Sequence, residues 1–192
     1  MTAPLSTKFD EALLCASNLH RGQIRKGSGV PYVAHLLSVA GIALEYDADE
    51  EEAIAALLHD AIEDQAKGDA EGLKDRIRGM FGDKVLAIVE GCTDAEVIPK
   101  PPWRARKERY VAHLAEASPS VLLVSAADKL HNARAILSDL RTVGAAVWGR
   151  FNGGRDGTLW YYRALVTAFE ARGRSALTEE LNRVVSEIES LA

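Results

Sequence analysis

Along most of the chain apolar residues recur every three or four positions among polar ones, the pattern of amphipathic helices, and no convincing strand alternation interrupts it. The spacing predicts a first helix over Phe9 to Arg21, with Phe9, Leu13, Ala16 and the Leu19–His20 pair on one face. Arg21 to Gly29 then reads as a loop, broken by glycines and carrying Arg21, Arg25 and Lys26. Pro31, suited to a first turn, opens a second helix that ends near Tyr46. Asp49 is placed to cap a central helix, with Glu50, Glu51 and Glu52 favourable in its first turn, and the helix runs on to Gln65. After a polar connector from Asp64 to Gly72, Gly82 divides two short helices, Leu73 to Phe81 and Lys84 to Gly91. The proline-rich break Ile98 to Pro102 leads into a basic helix, Trp103 to Ala117, and Pro119 opens a long one reaching about Arg141. A glycine-rich stretch, Phe151 to Gly157, precedes two closing helices, Leu159 to Arg172 and Leu177 to Leu191. The expected fold class is all-α, a bundle of about eight to ten helices.

One stretch breaks its own pattern. Ile54 to Gln65 reads IAALLHDAIEDQ, an apolar run interrupted by His59, Asp60, Glu63 and Asp64. With roughly 100° of turn per residue, a continuous helix stacks His59 on Glu63 and Asp60 on Asp64. Such a face on its own is also that of an ordinary solvated helix. Two other segments add to it. PYVAH ends an apolar turn on His35, and VLLVSAADKLHNAR sets Asp128 directly after seven apolar or small residues. An acid in that position calls for a partner, because carboxylates are rarely buried without one. His35, His59, Asp60 and Asp128 together form a set of two nitrogens and two oxygens. Without a thiolate, this set suits manganese, iron, zinc or magnesium and disfavours a purely structural zinc site. A cation held there would make a bound water more acidic and able to attack a phosphoryl group. Glu63 and Asp64, one turn on, are placed to orient that water or move its proton.

Composition narrows the setting. The 192 residues, 47% hydrophobic and 27% charged, are enough for one domain with a real core. A net charge of −5 argues against nucleic acid as the main partner. Cys15 and Cys92 lack metal-binding spacing and are expected as buried thiols in a reducing compartment. No apolar run approaches a membrane span, and the start lacks a signal-peptide core, so a cytoplasmic protein without a membrane partner is expected. Nothing in the sequence indicates an oligomeric state.

His35, the His59–Asp60 doublet and Asp128 match the metal ligands of the HD superfamily of phosphohydrolases. The longer segments SGVPYVAH, LLHDAIED, FGDKVLAIVEGCTD and SAADKLHNAR resemble the hydrolase domain of RelA/SpoT proteins over about residues 9 to 141. HD-x-x-ED is more restrictive than HD alone. The resemblance implies an HD-domain helical bundle, a single hydrolase domain over 1–192 with the helices of about 156–191 packed on its core. It implies a stand-alone small alarmone hydrolase, which removes the 3′-pyrophosphate from guanosine tetraphosphate or pentaphosphate with a divalent metal, usually manganese.

By the same resemblance Arg25, Lys26 and Ser28 contact the guanosine and Asn132 the ribose or base, while His131 is expected to pack in the helix or to support the ligands without being one. The loop departs from the family at Val30, and the long helix departs at Ala135. Trp160, Tyr161 and Tyr162 are expected in the core. Lys100, Arg104, Arg106, Lys107 and Arg109 are expected on a solvated helix face, with Lys107 or Arg109 as a second seat for phosphate. The alternatives are a general nucleotide phosphatase with the same metal site and a nucleotide-binding module that does not turn its ligand over.

Overall fold

The computed structural model describes residues 4–66, 68–95 and 99–192. Ile98, the first residue of the expected proline-rich break, lies outside the described residues, as does Lys67 of the polar connector. Among the described residues there are ten α-helices, one 3-10 segment and no named strand. They are α1 (Thr7–Leu19), α2 (Val33–Glu45), α3 (Glu50–Leu58), α4 (Ala61–Gln65), α5 (Ala70–Phe81), α6 (Asp83–Cys92), α7 (Trp103–His113), α8 (Pro119–Val143), the 3-10 segment Gly144–Arg150, α9 (Gly154–Arg172) and α10 (Ala176–Leu191). An isolated antiparallel bridge joins Ile24 to Pro31. The chain divides into two compact units, one of Met1–Glu96 with Ser118–Ala127, the other of Val97–Ala117 with Asp128–Ala192.

The first unit is built around α3. Ala53, Ile54, Ala55, Ala56, Leu57 and Leu58 are all buried, so the helix is apolar on every side and takes α1, α2 and α6 as neighbours. Its three alanines let those neighbours approach closely. Asp49 starts it with a reciprocal capping box: the carboxylate accepts from Glu52 N–H, and the Glu52 carboxylate accepts from Asp49 N–H. Between α5 and α6, Gly82 stands at φ 97°, a left-handed conformation that a side chain would strain.

The single central helix expected over Ile54 to Gln65 is two helices. Asp60 sits at φ −97°, ψ 2°, outside the α region, and the chain turns there before α4 begins at Ala61. The stacked columns expected for His59 over Glu63 and Asp60 over Asp64 therefore do not run along one helix. At the end of α3 the Ala56 carbonyl takes the imidazole of His59 as a donor, at 2.8 Å, satisfying one of the carbonyls a helix end leaves open.

In the second unit, α9 pairs with α10, α7 lies on α9, and α10 buries Leu177, Leu181, Val184, Val185 and Ile188. Gly153 leaves room for Trp103: a Cβ there would lie 2.6 Å from the indole. The glycine-rich stretch is thus largely the first turn of α9 and a seat for a tryptophan. Of the expected solvated face, Lys100, Arg104 and Arg109 are exposed, Lys107 is half-buried and Arg106 departs from it. Arg106 is buried and donates to the Pro101 carbonyl, Arg104 stacks 3.2 Å over Trp160, and the Lys107 ammonium lies 4.9 Å over Tyr161. Indole and phenol faces attract these cations, which a count of charges along the helix does not reveal. Tyr161 and Tyr162 are buried, as their helical spacing suggested, and Trp160 is half-buried beneath Arg104.

Candidate metal centre

His35 is the third residue of α2, on the face that α2 turns to the interior, and is 1% exposed. His59 closes α3 and is also buried. Its Nδ1–H donates to the Ala56 carbonyl, so the hydrogen belongs on Nδ1 and the lone pair on Nε2. That Nε2 lies 2.9 Å from Asp60 Oδ2, and His35 Nε2 lies 3.5 Å from the same oxygen. Lone pairs facing each other at such distances repel unless a cation or a proton stands between them.

Asp128 is the first residue of α8 beyond Ala127, with which the helix is continuous. His35, His59 and Asp128 each offer a ligand atom, all within 4.8 Å of one another. Three buried groups this close, with Asp60 Oδ2 beside both imidazoles, fit a divalent cation. Nitrogen and oxygen donors without sulfur agree with that fit.

The surrounding residues restrain the donors. Tyr32, just before α2, donates its hydroxyl to Asp60 Oδ2 at 2.6 Å and meets the His35 ring edge-on at 5.3 Å. The His35 and His59 rings stand edge-to-face at 5.1 Å. Asn132 Nδ2 donates to Asp128 Oδ1 and Lys129 Nζ to Asp128 Oδ2, each at 2.5 Å. Both contacts hold the Asp128 carboxylate in place beside the two imidazoles. Burial pushes the Lys129 ammonium down, but the Asp128 carboxylate and the phenols of Tyr110 and Tyr161 outweigh it and hold it well above the ordinary lysine value. Lys129 therefore stays charged beside Asp128.

The other sequence-predicted residues are placed as follows. Glu63 is half-buried on α4 and accepts the Asp94 N–H at 3.2 Å. Asp64, exposed on the same short helix, accepts from Gln23 Nε2 at 2.7 Å. Arg25, Lys26 and Ser28 sit in a tight hairpin closed by the Ile24–Pro31 bridge and by Arg25 N–H donating to the Val30 carbonyl at 2.8 Å. Lys26 and Ser28 are exposed and Arg25 is half-exposed. The hairpin leads straight into Tyr32, whose N–H donates to the Gln23 carbonyl. Asn132 lies against Asp128, one turn away. Sequence reasoning passed over Tyr32, Gln23 and Lys129. Tyr32 shares a helical phase with His35, three residues on, and that spacing could have drawn attention to it.

A fold of helices carrying a buried His/Asp group defines a class, and comparison agrees with it. The HD domain family model matches residues 12–159, so the chain belongs to the HD domain family. It is 38% identical over 128 residues to human guanosine-3′,5′-bis(diphosphate) 3′-pyrophosphohydrolase MESH1, an alignment covering 65% of this chain and 66% of that one. It is 37% identical over 128 residues to a GTP pyrophosphokinase of Streptomyces coelicolor, covering 66% of this chain and 14% of the other. The chain thus spans a small part of the long pyrophosphokinases and just under two thirds of MESH1. Among solved structures, one described as a metazoan ortholog of SpoT that hydrolyses ppGpp aligns over 100% of both chains, with a TM-score of 0.78 and 30% identity. A Listeria monocytogenes protein aligns over 81% of this chain and 99% of that one, with a TM-score of 0.70 and 29% identity.

Proposed function

We propose that the chain is a metal-dependent phosphohydrolase that removes the 3′-pyrophosphate from guanosine tetraphosphate or pentaphosphate, with manganese as its working cation. The observation that carries this reading is the buried His35–His59–Asp128 group, whose donor atoms lie within 4.8 Å of one another. The names of the relatives and of the structural neighbour support it. In this reading His35, His59, Asp60 and Asp128 hold the cation. When bound, the cation supplies Lewis-acid polarisation of the phosphoryl oxygens and lowers the pKa of water. The water oxygen bonds to the phosphorus attached to the ribose 3′-oxygen. The bond from that phosphorus to the 3′-oxygen breaks, the 3′-oxygen gains a proton, and pyrophosphate leaves GDP or GTP behind.

Glu63 and Asp64 handle the protons. The Asp94 N–H on Glu63 and the Gln23 amide on Asp64 orient the two carboxylates. Arg25, Lys26 and Ser28 receive the guanosine on their hairpin, a guanidinium being suited to stack on a purine. Asn132 orients the ribose or base while it holds Asp128. The same proposal takes residues 1–192 as one hydrolase domain, acting in the cytoplasm on a small nucleotide and not on nucleic acid. Among the described residues no helix is long and apolar enough to cross a membrane.

The test is an alarmone hydrolysis assay on purified protein supplied in turn with manganese, magnesium and zinc. Asp60→Ala is expected to lose both metal and turnover. Glu63→Gln is expected to keep its metal and lose about 10²–10⁴-fold in kcat. Cleavage of nucleoside monophosphates with no action on alarmones would favour a general nucleotide phosphatase. Tight alarmone binding without turnover in the metal-loaded protein would favour a binding module.

A further inference from the structure

His20 is the residue after α1, 2% exposed, and belongs to none of the roles assigned above. Its ring stacks on Tyr32 at 5.2 Å with an interplanar angle of 14°. Its Nδ1 lies 2.7 Å from Gln23 Oε1, while its Nε2 is buried with no hydrogen-bond partner. A buried polar atom left in that state is costly, and here it marks which nitrogen carries the hydrogen. With the hydrogen on Nδ1, the ring donates to Gln23 Oε1 and leaves only a lone pair at Nε2. With the hydrogen on Nε2, a donor would be stranded, and Nδ1 would face a carbonyl oxygen lone pair to lone pair.

The consequence passes to Gln23. Its Oε1 receives His20 Nδ1–H and also the Gln65 amide, so its NH2 group is turned the other way, onto Asp64 Oδ2 at 2.7 Å. The opposite amide orientation would set a carbonyl oxygen against the Asp64 carboxylate and two donors against each other at Gln65. The weaker approach of Gln65 Nε2 to His20 Nδ1, at 3.4 Å, does not compete with the 2.7 Å bond. Burial pushes the His20 imidazole below its ordinary value, although the Gln23 hydrogen bond and the charges of Asp60 and Asp64 pull it part of the way back. The ring is therefore held neutral, with one hydrogen to place.

We propose that His20 is a positioning residue: its Nδ1–H fixes the Gln23 amide so that a donor, and not an acceptor, faces Asp64. This rests on the role given to Asp64 under the proposed function, and His20 itself touches neither metal nor substrate. Four variants separate the parts. His20→Phe keeps an aromatic ring on Tyr32 and removes the donor. His20→Asn keeps a donor near the Nδ1 position and removes the ring. Gln23→Leu removes the relay, and Asp64→Asn removes its target.

His20→Phe is expected to lower kcat about 10- to 100-fold, the scale of a misplaced catalytic group, with KM and bound metal unchanged. His20→Asn should recover most of that loss. Combining His20→Phe with Gln23→Leu, or with Asp64→Asn, should cost no more than the more damaging single change, because one chain of contacts is being cut twice. Independent of any substrate, the ¹⁵N shifts of the zinc-loaded protein should show His20 neutral with its hydrogen on Nδ1, the signal being identified by its absence in His20→Asn.

A hydrogen found on Nε2 overturns the proposal, whatever the activity. Parental kcat in His20→Phe overturns it too, as does an undiminished His20→Phe loss in the Asp64→Asn background. A fully active Asp64→Asn would overturn the role of Asp64 and the positioning role with it. An inactive Asp60→Ala beside it would show that the metal site stands regardless.

Discussion

His59 donates Nδ1–H to a carbonyl three residues back in its own helix, and that bond decides what its other nitrogen can do. A ring so anchored presents a lone pair from Nε2 in a fixed direction, which a metal can use and a freely rotating imidazole offers only part of the time. Asp60 is restrained from a different side, by the Tyr32 hydroxyl on Oδ2. The residue is next to His59 in sequence, yet its tether comes from 28 positions away. Tyr32→Phe removes that hydroxyl and leaves the ring against His20 and His35. It is expected to weaken metal affinity or activity by about 10- to 100-fold, as changes to groups supporting metal ligands do, with little effect on folding. Titration of the metal-free variant with manganese, followed by activity, checks this.

At the scale of elements, the turn at Asp60 is what separates α3 from α4 and lets adjacent His59 and Asp60 face a common point. A straight helix would have pointed them roughly 100° apart. The other end of α3 is set by Asp49. Partial burial pushes its carboxyl up, but the hydrogen bond from Lys84, the backbone donors of Glu52 and Glu51 and the Lys84 charge outweigh this and leave it below the ordinary aspartate value of 3.8. Lys84 is raised above 10.5, first by its hydrogen bond to Asp49 and despite some burial. Asp49→Ala is expected to cost about 1 kcal/mol at neutral pH, the usual cost of losing a cap.

The sign follows from the depressed folded value: the Asp49 contribution is present above pH 3.8 and is lost as pH falls through the lower folded value. The gap between parent and variant should therefore close in strong acid. For Lys84 the contribution is complete below 10.5 and fades only as pH rises through its higher folded value. Urea unfolding of both proteins across the pH range reads these changes directly.

For the whole molecule, a cation that binds the folded chain and not the unfolded one must raise its stability by mass action. At free metal 100-fold above its dissociation constant the gain is about 2.7 kcal/mol, or roughly 5 to 10 °C in Tm for a chain of this length. Thermal unfolding with manganese and then with a chelator should show that difference, and Asp60→Ala should lose most of it. An equal shift in Asp60→Ala would place the stabilising ion elsewhere.

The helices and their limits were legible because their signals are local. Asp49, Gly82 and Pro119 mark ends through signals within a few residues, and the structure has helix ends at each. His35, His59, Asp60 and Asp128 could be picked out because an ionisable residue inside an apolar run conflicts with its surroundings. That conflict is visible in one dimension. The turn at Asp60 was not, since IAALLHDAIEDQ contains no Gly or Pro to break the helix there. Nor were the Tyr32 hydroxyl on Asp60, the Gln23 amide on Asp64 or the Lys129 ammonium in its buried setting beside Tyr110. The rings beneath the Arg104 and Lys107 cations were hidden for the same reason: they belong to α9, more than 50 residues along.

By itself, then, the sequence determined an all-helical chain and which side chains were too polar for their neighbourhood, because periodicity and capping act over one or two turns. Tertiary structure alone decided which of those side chains meet, which lone pairs they present and what holds them still. The meeting of the donors depends on distances of 2.6 to 5.1 Å between residues far apart in the chain, and no spacing rule along the backbone encodes them.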